Sequence, residues 1–291
     1  RHDIPVAQIL LTLSDTEERR RYLNARGTIA TLFRLGVVPV INENDTVATE
    51  EIRFGDNDRL GARVAAMASA DVLILLSDVD GLYEADPRLN PGAAKLGVVR
   101  AITPEIEAMA GTAATAMGSG GMPTKLAAAR IALDGGCAMA IADGRVDRPI
   151  QALRDRNDAT WFVAGETPLQ ARKRWIAGGL KTEGRVEIDA GAVEALRRGK
   201  SLLPAGAVSI RGKFERGAPV AIVGPDGREV ARGLIAYGAE DARKILGLRT
   251  SAIADALGYA GRTALIHRDD LSLTGRAEAA PEAEDRREAA K

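Results

Sequence analysis

The chain has 291 residues and 30.7 kDa, with 46% hydrophobic and 27% charged side chains, which excludes a disordered or collagen-like chain and allows one or two domains with a sizeable core. Its 40 basic and 40 acidic residues cancel, which removes the whole-chain basic signature of a dedicated nucleic-acid binder. No apolar run reaches the ~20 residues needed to span a bilayer and the single Cys137 cannot close an internal disulfide, so the sequence reads as cytoplasmic.

Over residues 4–150 short apolar runs alternate with helical stretches, the pattern of an α/β domain with a largely parallel sheet. Residues 6–11 read as a strand, and Ser14-Asp15 followed by Glu17-Glu18 marks the start of a helix that Gly36 stops. Residues 37–41 form a second expected strand, feeding the polar loop Asn42-Glu43-Asn44-Asp45. Asp56-Asn57-Asp58 opens an Ala-rich helix to about Ser69. The continuous apolar run 72–76 predicts a strand buried on both faces, with Ser77-Asp78 at the end where open α/β sheets collect ligands. A helix over 123–133 and a strand over 138–141 follow, separated by Gly135-Gly136.

From about 154 the sequence turns charged and poorly periodic, reading as the end of the first domain and a linker to about Gly184. Residues 185–273 read as a small β-rich domain, with strand-like pieces at 208–210, 220–223, 230–237 and 264–266, a Pro225-Asp226-Gly227 turn and a helix over 190–198. Residues 274–291, all Ala, Glu, Arg and other small or polar groups, are expected to be a disordered tail.

Three constellations carry chemistry. Gly118-Ser119-Gly120-Gly121-Met122-Pro123-Thr124-Lys125 precedes a helix: glycines let backbone N–H groups approach an anion, Pro123 suits a first helical turn, and Lys125 adds a cation. It lacks the Walker A spacing, and a surface loop with a solvated lysine is an equal reading of the loop alone. Asn42-Glu43-Asn44-Asp45 with Gly55-Asp56-Asn57-Asp58 supplies donors and acceptors for a zwitterion, or else a turn and a helix cap. Ser77-Asp78-Val79-Asp80-Gly81-Leu82-Tyr83, with Asp86-Pro87-Arg88 beyond, offers small and acidic groups to a nucleotide or hydrated Mg2+, or is a turn with solvated acids. His2, His267 and Cys137 have no ligand-like neighbourhood and are assigned to structure or surface.

These segments, together with Arg172-Lys173-Arg174-Trp175, resemble the glutamate 5-kinase family in order and spacing over nearly all of residues 4–272. The resemblance implies an amino-acid-kinase three-layer α/β sandwich with a mainly parallel sheet over residues 1–153, the end of that domain and a linker over 154–184, and a PUA domain over 185–273. It further implies that ATP, with Mg2+, phosphorylates the γ-carboxylate of L-glutamate in the first step of proline biosynthesis, with proline as feedback inhibitor and a homo-tetrameric assembly. By position, Asp45 and Asn57 would bind glutamate, while Ser77, Asp78, Ser119, Gly120, Gly121, Met122, Pro123, Thr124 and Lys125 would bind ATP. Lys125 would also neutralise the phosphoryl group in transit, and Asp58 would organise the lysines. Another acceptor within the amino-acid kinases is the alternative, or a non-catalytic PUA protein that binds RNA or regulates a partner.

Family members begin with a lysine-bearing strand and Gly-rich turn, then a strand ending in a small substrate loop, and the expectation is that these 291 residues start after them. Expressed alone, the chain is then expected to show little or no kinase activity and to expose sheet edge. Residues 185–273 carry 14 basic against 11 acidic side chains, too slight a surplus to argue for RNA.

Overall fold

A computed structural model describes residues 2–47, 56–111, 121–156, 158–178 and 180–274. Gly55, Gly118, Ser119, Gly120 and the stretch 275–291 lie outside the described residues. The chain divides into two compact units between Arg172 and Lys173.

The first unit opens with β1 (Val6–Leu11), α1 (Leu13–Glu17), α2 (Arg19–Arg34) and β2 (Val38–Glu43). The single helix expected between Ser14 and Gly36 is two. Its first cap is Thr12, whose backbone N–H donates to Asp15 Oδ2 at 2.8 Å while its hydroxyl accepts from Asp15 N–H, a reciprocal capping box. Glu18 then takes an extended backbone, and its carboxylate accepts from the N–H groups of Arg20 and Arg21, so it ends one helix and caps the next. Side-chain competition for backbone donors, invisible in hydrophobic periodicity, causes the break.

α3 (Asp56–Ala68), β3 (Val72–Ser77), β4 (Val98–Val99), α4 (Pro104–Met109), α5 (Met122–Asp134), β5 (Ala138–Asp143), α6 (Pro149–Arg156) and β6 (Ala159–Phe162) complete this unit, apart from the first residues of α7 (Pro168–Gly178). β1 and β2 form a parallel pair, and a second sheet runs in the order β3-β5-β6-β4, parallel except between β5 and β6. Met139 and Ile141 of β5 pack with Ala62 and Ala65 of α3, Leu126 and Ala129 of α5, and Phe162 of β6. Ala140 and Ala142 point the other way, to Leu153 of α6. Helix, sheet and helix therefore stack as three layers around β5.

That arrangement corrects one expectation. The strand buried on both faces is β5; β3 lies at the end of its sheet, with Val72 and Leu76 each 45% exposed. Both runs are short and continuously apolar, and strand order separates the central strand from the edge. The stretch after 154, expected as the end of the first domain and a linker, supplies β6, which pairs with both β5 and β4, and then α7.

The second unit contains β7 (Gly184–Ile188), α8 (Ala190–Arg197), β8 (Ala207–Gly212), β9 (Pro219–Val223), β10 (Glu229–Leu234), α9 (Ala239–Lys244), α10 (Ile253–Leu257) and β11 (Leu271–Leu273). One sheet, β11-β10-β9-β7-β8, is antiparallel except between β7 and β9. Its core gathers Val186, Ile188, Leu196, Val220, Ile222 and Ile235. The expected strand over 230–237 stops at Leu234, and 264–266 contributes only a single bridge from Ile266 to Leu202. Leu265 and Ile266 are fully buried, so their apolar character reports core contact rather than sheet pairing.

Candidate active site

Connectivity brings the chemistry to one edge. α3 runs into β3 and α5 runs into β5, while β3 and β5 are parallel and in register from Val72 opposite Ala138 to Ser77 opposite Asp143. The N-termini of α3 and α5 consequently lie toward the C-terminal ends of these strands, where open α/β sheets bind ligands.

Lys125 lies in the first turn of α5 and is only 6% exposed. Its Nζ is 3.0 Å from Asp58 Oδ2, which also accepts from Thr124 Oγ1 at 3.0 Å. The Thr124 hydroxyl lies 2.7 Å from the Gly121 carbonyl as well, so helix start, lysine and aspartate form one unit. Among the described residues no side chain caps α5 at Gly121, and the helix dipole there favours an anion. A fixed, dehydrated cation beside a helix N-terminus is suited to charge developing on a transferring phosphoryl group.

Residues 1–143 match the amino acid kinase family and residues 184–257 match the PUA domain. The chain is 59% identical over 274 residues to the glutamate 5-kinase of Rhizobium etli, covering 94% of this chain and 70% of that one. It is 60% identical over 275 residues to the glutamate 5-kinase of Rhodospirillum rubrum, covering 94% and 73%, and 58% identical over 277 residues to that of Agrobacterium fabrum, covering 95% and 71%. The chain belongs to the glutamate 5-kinase family. The three-layer first unit and the β-rich second unit are this family's amino-acid-kinase and PUA folds.

Within this member of the family the other expected site residues fall as follows. Asn44 extends the β1–β2 ladder through its N–H to Leu11 O at 2.9 Å and starts a turn closed by Val47 N–H, which leaves Asp45 exposed beyond the strand end. Asn57 is exposed in the first turn of α3. Among the described residues no hydrogen bond joins Asp45 or Asn57 to Asp58 or Lys125. Ser77 Oγ donates to Asp78 Oδ1 at 3.1 Å at the tip of β3, and Asp78 is exposed.

Asp80, expected beside nucleotide or Mg2+, is engaged within the fold instead. It accepts from the Tyr83 hydroxyl and from Lys95 Nζ, each at 3.0 Å, and Lys95 also pairs with Asp158. Burial would raise the Asp80 carboxyl, but the Lys95 and Tyr83 donors outweigh it and hold the carboxyl below its ordinary range. Asp86 is likewise taken up by Arg88, at 2.8 Å.

Two further parts were not among the expected site residues. Thr160, fully buried on β6, accepts from Leu82 N–H at 2.8 Å and donates to Leu96 O at 2.6 Å, tying the segment after Asp78 to the sheet. Gly81 is required by this contact, because a Cβ there would stand 2.6 Å from Thr160 Oγ1. Thr160→Val strands the buried Leu82 N–H and is expected to cost about 1–3 kcal/mol, read from the urea midpoint.

The second part is Asp143-Gly144-Arg145, and a D-x-R step directly after an apolar strand was its available signal. Hydrogen bonds from the Arg145 side chain and then its backbone N–H hold the Asp143 carboxyl down to about 2, against an ordinary value of 3.8. A depressed folded value favours the ordered turn above the ordinary carboxyl range, and that contribution disappears as pH falls through about 2. Carboxyl NMR titration of Asp143 should show a midpoint near 2, returning toward 3.8 in Arg145→Ala.

Among the described residues, no group of three or more His, Cys, Asp or Glu side chains is placed to hold a metal, and no helix is long and apolar enough to cross a membrane.

Proposed function

We propose that the protein transfers the γ-phosphoryl group of ATP to the γ-carboxylate of L-glutamate, giving L-glutamyl 5-phosphate and ADP in the first step of proline biosynthesis. Membership of the glutamate 5-kinase family supports this reading, and the buried Lys125–Asp58 pair at the start of α5 carries it. A carboxylate oxygen attacks the γ-phosphorus as the bond to the β–γ bridging oxygen breaks and ADP leaves. Glutamate's side chain, with an ordinary pKa of about 4.3, is already ionised at neutral pH, so no general base is required. The protein's share is positioning and electrostatic stabilisation.

Asp45 and Asn57 hold glutamate in this reading. Ser77, Asp78 and residues 119–125 hold ATP. Lys125 offsets charge on the phosphoryl group, with Asp58 and Thr124 fixing its Nζ. Mg2+ fits as an ion bound by the nucleotide's phosphates and retained water, because such sites need only one or two carboxylates and Asp78 is exposed at the strand tip. When bound, it neutralises phosphate charge. Proline inhibition, a homo-tetramer and a cytoplasmic location belong to the same proposal; glutamate-dependent turnover titrated with proline, and light scattering, test the first two.

An acceptor panel with hydroxylamine trapping tests the reaction. The full-length protein should form ATP-dependent hydroxamate from glutamate, and Asp45→Ala should raise the glutamate KM about tenfold or more by removing a charged contact. No product from glutamate, with turnover of aspartate or N-acetylglutamate, would overturn the reading.

A further inference from the structure

The tip of β5 carries a second ordered charged arrangement. Met139 to Ala142 are buried, so the residues that follow stand on the centre of the sheet. Gly144 N–H donates to Ser77 O at 2.7 Å, continuing the β3–β5 ladder one step past the strands. A Cβ on Gly144 would lie 3.1 Å from Leu76 Cβ and 3.4 Å from Ser77 N, so the turn is pressed against β3 where Ser77-Asp78 begins. Asp143 then holds Arg145 three times: its Oδ1 accepts from the Arg145 backbone N–H at 2.8 Å and from Nε at 2.9 Å, and its Oδ2 accepts from Nη2 at 2.9 Å.

This fork fixes the guanidinium plane without consuming it, since the Arg145 side chain is 67% exposed and five N–H donors exceed the two spent on Asp143. The Gly144–Ser77 hydrogen bond places the turn that carries it beside the strand tip assigned to nucleotide, and the Asp78 and Asp80 charges favour its charged form. An exposed ion pair adds little stability, so fold maintenance alone gives weak reason for so ordered a cation here. Preorganised guanidinium groups match phosphate oxygens in geometry and charge.

We propose that Arg145 is a binding residue for the polyphosphate of ATP, a second cation in addition to Lys125. The inference rests on the reading that this sheet edge takes ATP. It is tested by calorimetric titration of Mg·ATP into the full-length wild-type protein, Arg145→Ala, Arg145→Lys and, as a surface-arginine control, Arg198→Ala. Arg145→Ala should bind about tenfold more weakly, with the deficit shrinking as salt is raised. Arg145→Lys, which keeps the charge and loses the fork, should fall between it and wild type, and Arg198→Ala should match wild type. Adenosine, which has no phosphate, should bind wild type and Arg145→Ala alike. Equal Mg·ATP affinity in wild type and Arg145→Ala overturns the role of Arg145 and leaves the nucleotide edge standing, as does an equal loss for adenosine. No binding of Mg·ATP by the wild type overturns both.

Discussion

Lys125→Ala is expected to lower turnover of the full-length protein by at least ~100-fold, the scale on which deleting one preorganised electrostatic donor acts in enzymes. The reason is geometric. Nζ is dehydrated, with a side chain 7% exposed, and Asp58 fixes it at 3.0 Å, so the cation is in place before charge moves onto the phosphoryl oxygens. An interaction that strengthens in the transition state appears in kcat rather than in KM, so the loss should fall mainly on kcat. Some stability goes too, because among the described residues Asp58 is left with the Thr124 hydroxyl. Breaking a fully buried pair costs about 3–5 kcal/mol, and Asp58 at 19% exposed puts the expected cost toward or below the low end. Asp58→Asn keeps a carbonyl oxygen for Thr124 and should reduce turnover less. In the double variant the two stability losses should be smaller than additive, as for residues in direct contact. Near-normal turnover in a folded Lys125→Ala protein would remove the lysine from the chemistry.

Phe162→Ala should destabilise the first unit by about 3–5 kcal/mol, the cost of emptying an aromatic site in a packed core. Phe162 has no exposed surface and packs in the same core cluster as Met139, Ile141, Leu126 and Val99. It pairs with Met139 of β5 on one side and Val99 of β4 on the other, so truncation opens a cavity at the middle of the sheet. The loss should appear in the urea midpoint of the first unit's transition with its m-value little changed. A loss below about 1 kcal/mol would mean that β6 is peripheral.

The Phe162 site also shows where sequence reading stops. Ala159-Thr160-Trp161-Phe162 is only four residues long, between charged stretches, and its strand character comes from pairing on both sides rather than from a periodic run. Longer apolar runs were legible: β1 has the bounds read from the sequence, while α3, α5 and β5 differ from their expected bounds by one or two residues. Their relative burial was not legible, because β3 and β5 are both short apolar strands whose burial is decided by their place in the sheet. In the site, residue types suggested an anion-binding helix start at Gly121 to Lys125 and a role for Asp58 in orienting lysines, but not which lysine Asp58 meets. A contact across 67 positions leaves no local trace. Thr160 and Arg145 matter through what the fold sets beside them, a buried N–H and the tip of β3.

The central claim, that a glutamate carboxylate oxygen attacks the γ-phosphorus at this edge, is tested most directly by isotope transfer. Full-length protein is incubated with ATP and glutamate carrying 18O in both γ-carboxylate oxygens, with hydroxylamine present to cleave the acyl phosphate at carbon, and the released phosphate is analysed by 31P NMR. The account predicts one 18O atom in each phosphate released alongside hydroxamate. Phosphate without label would show that water, not the glutamate carboxylate, accepts the phosphoryl group.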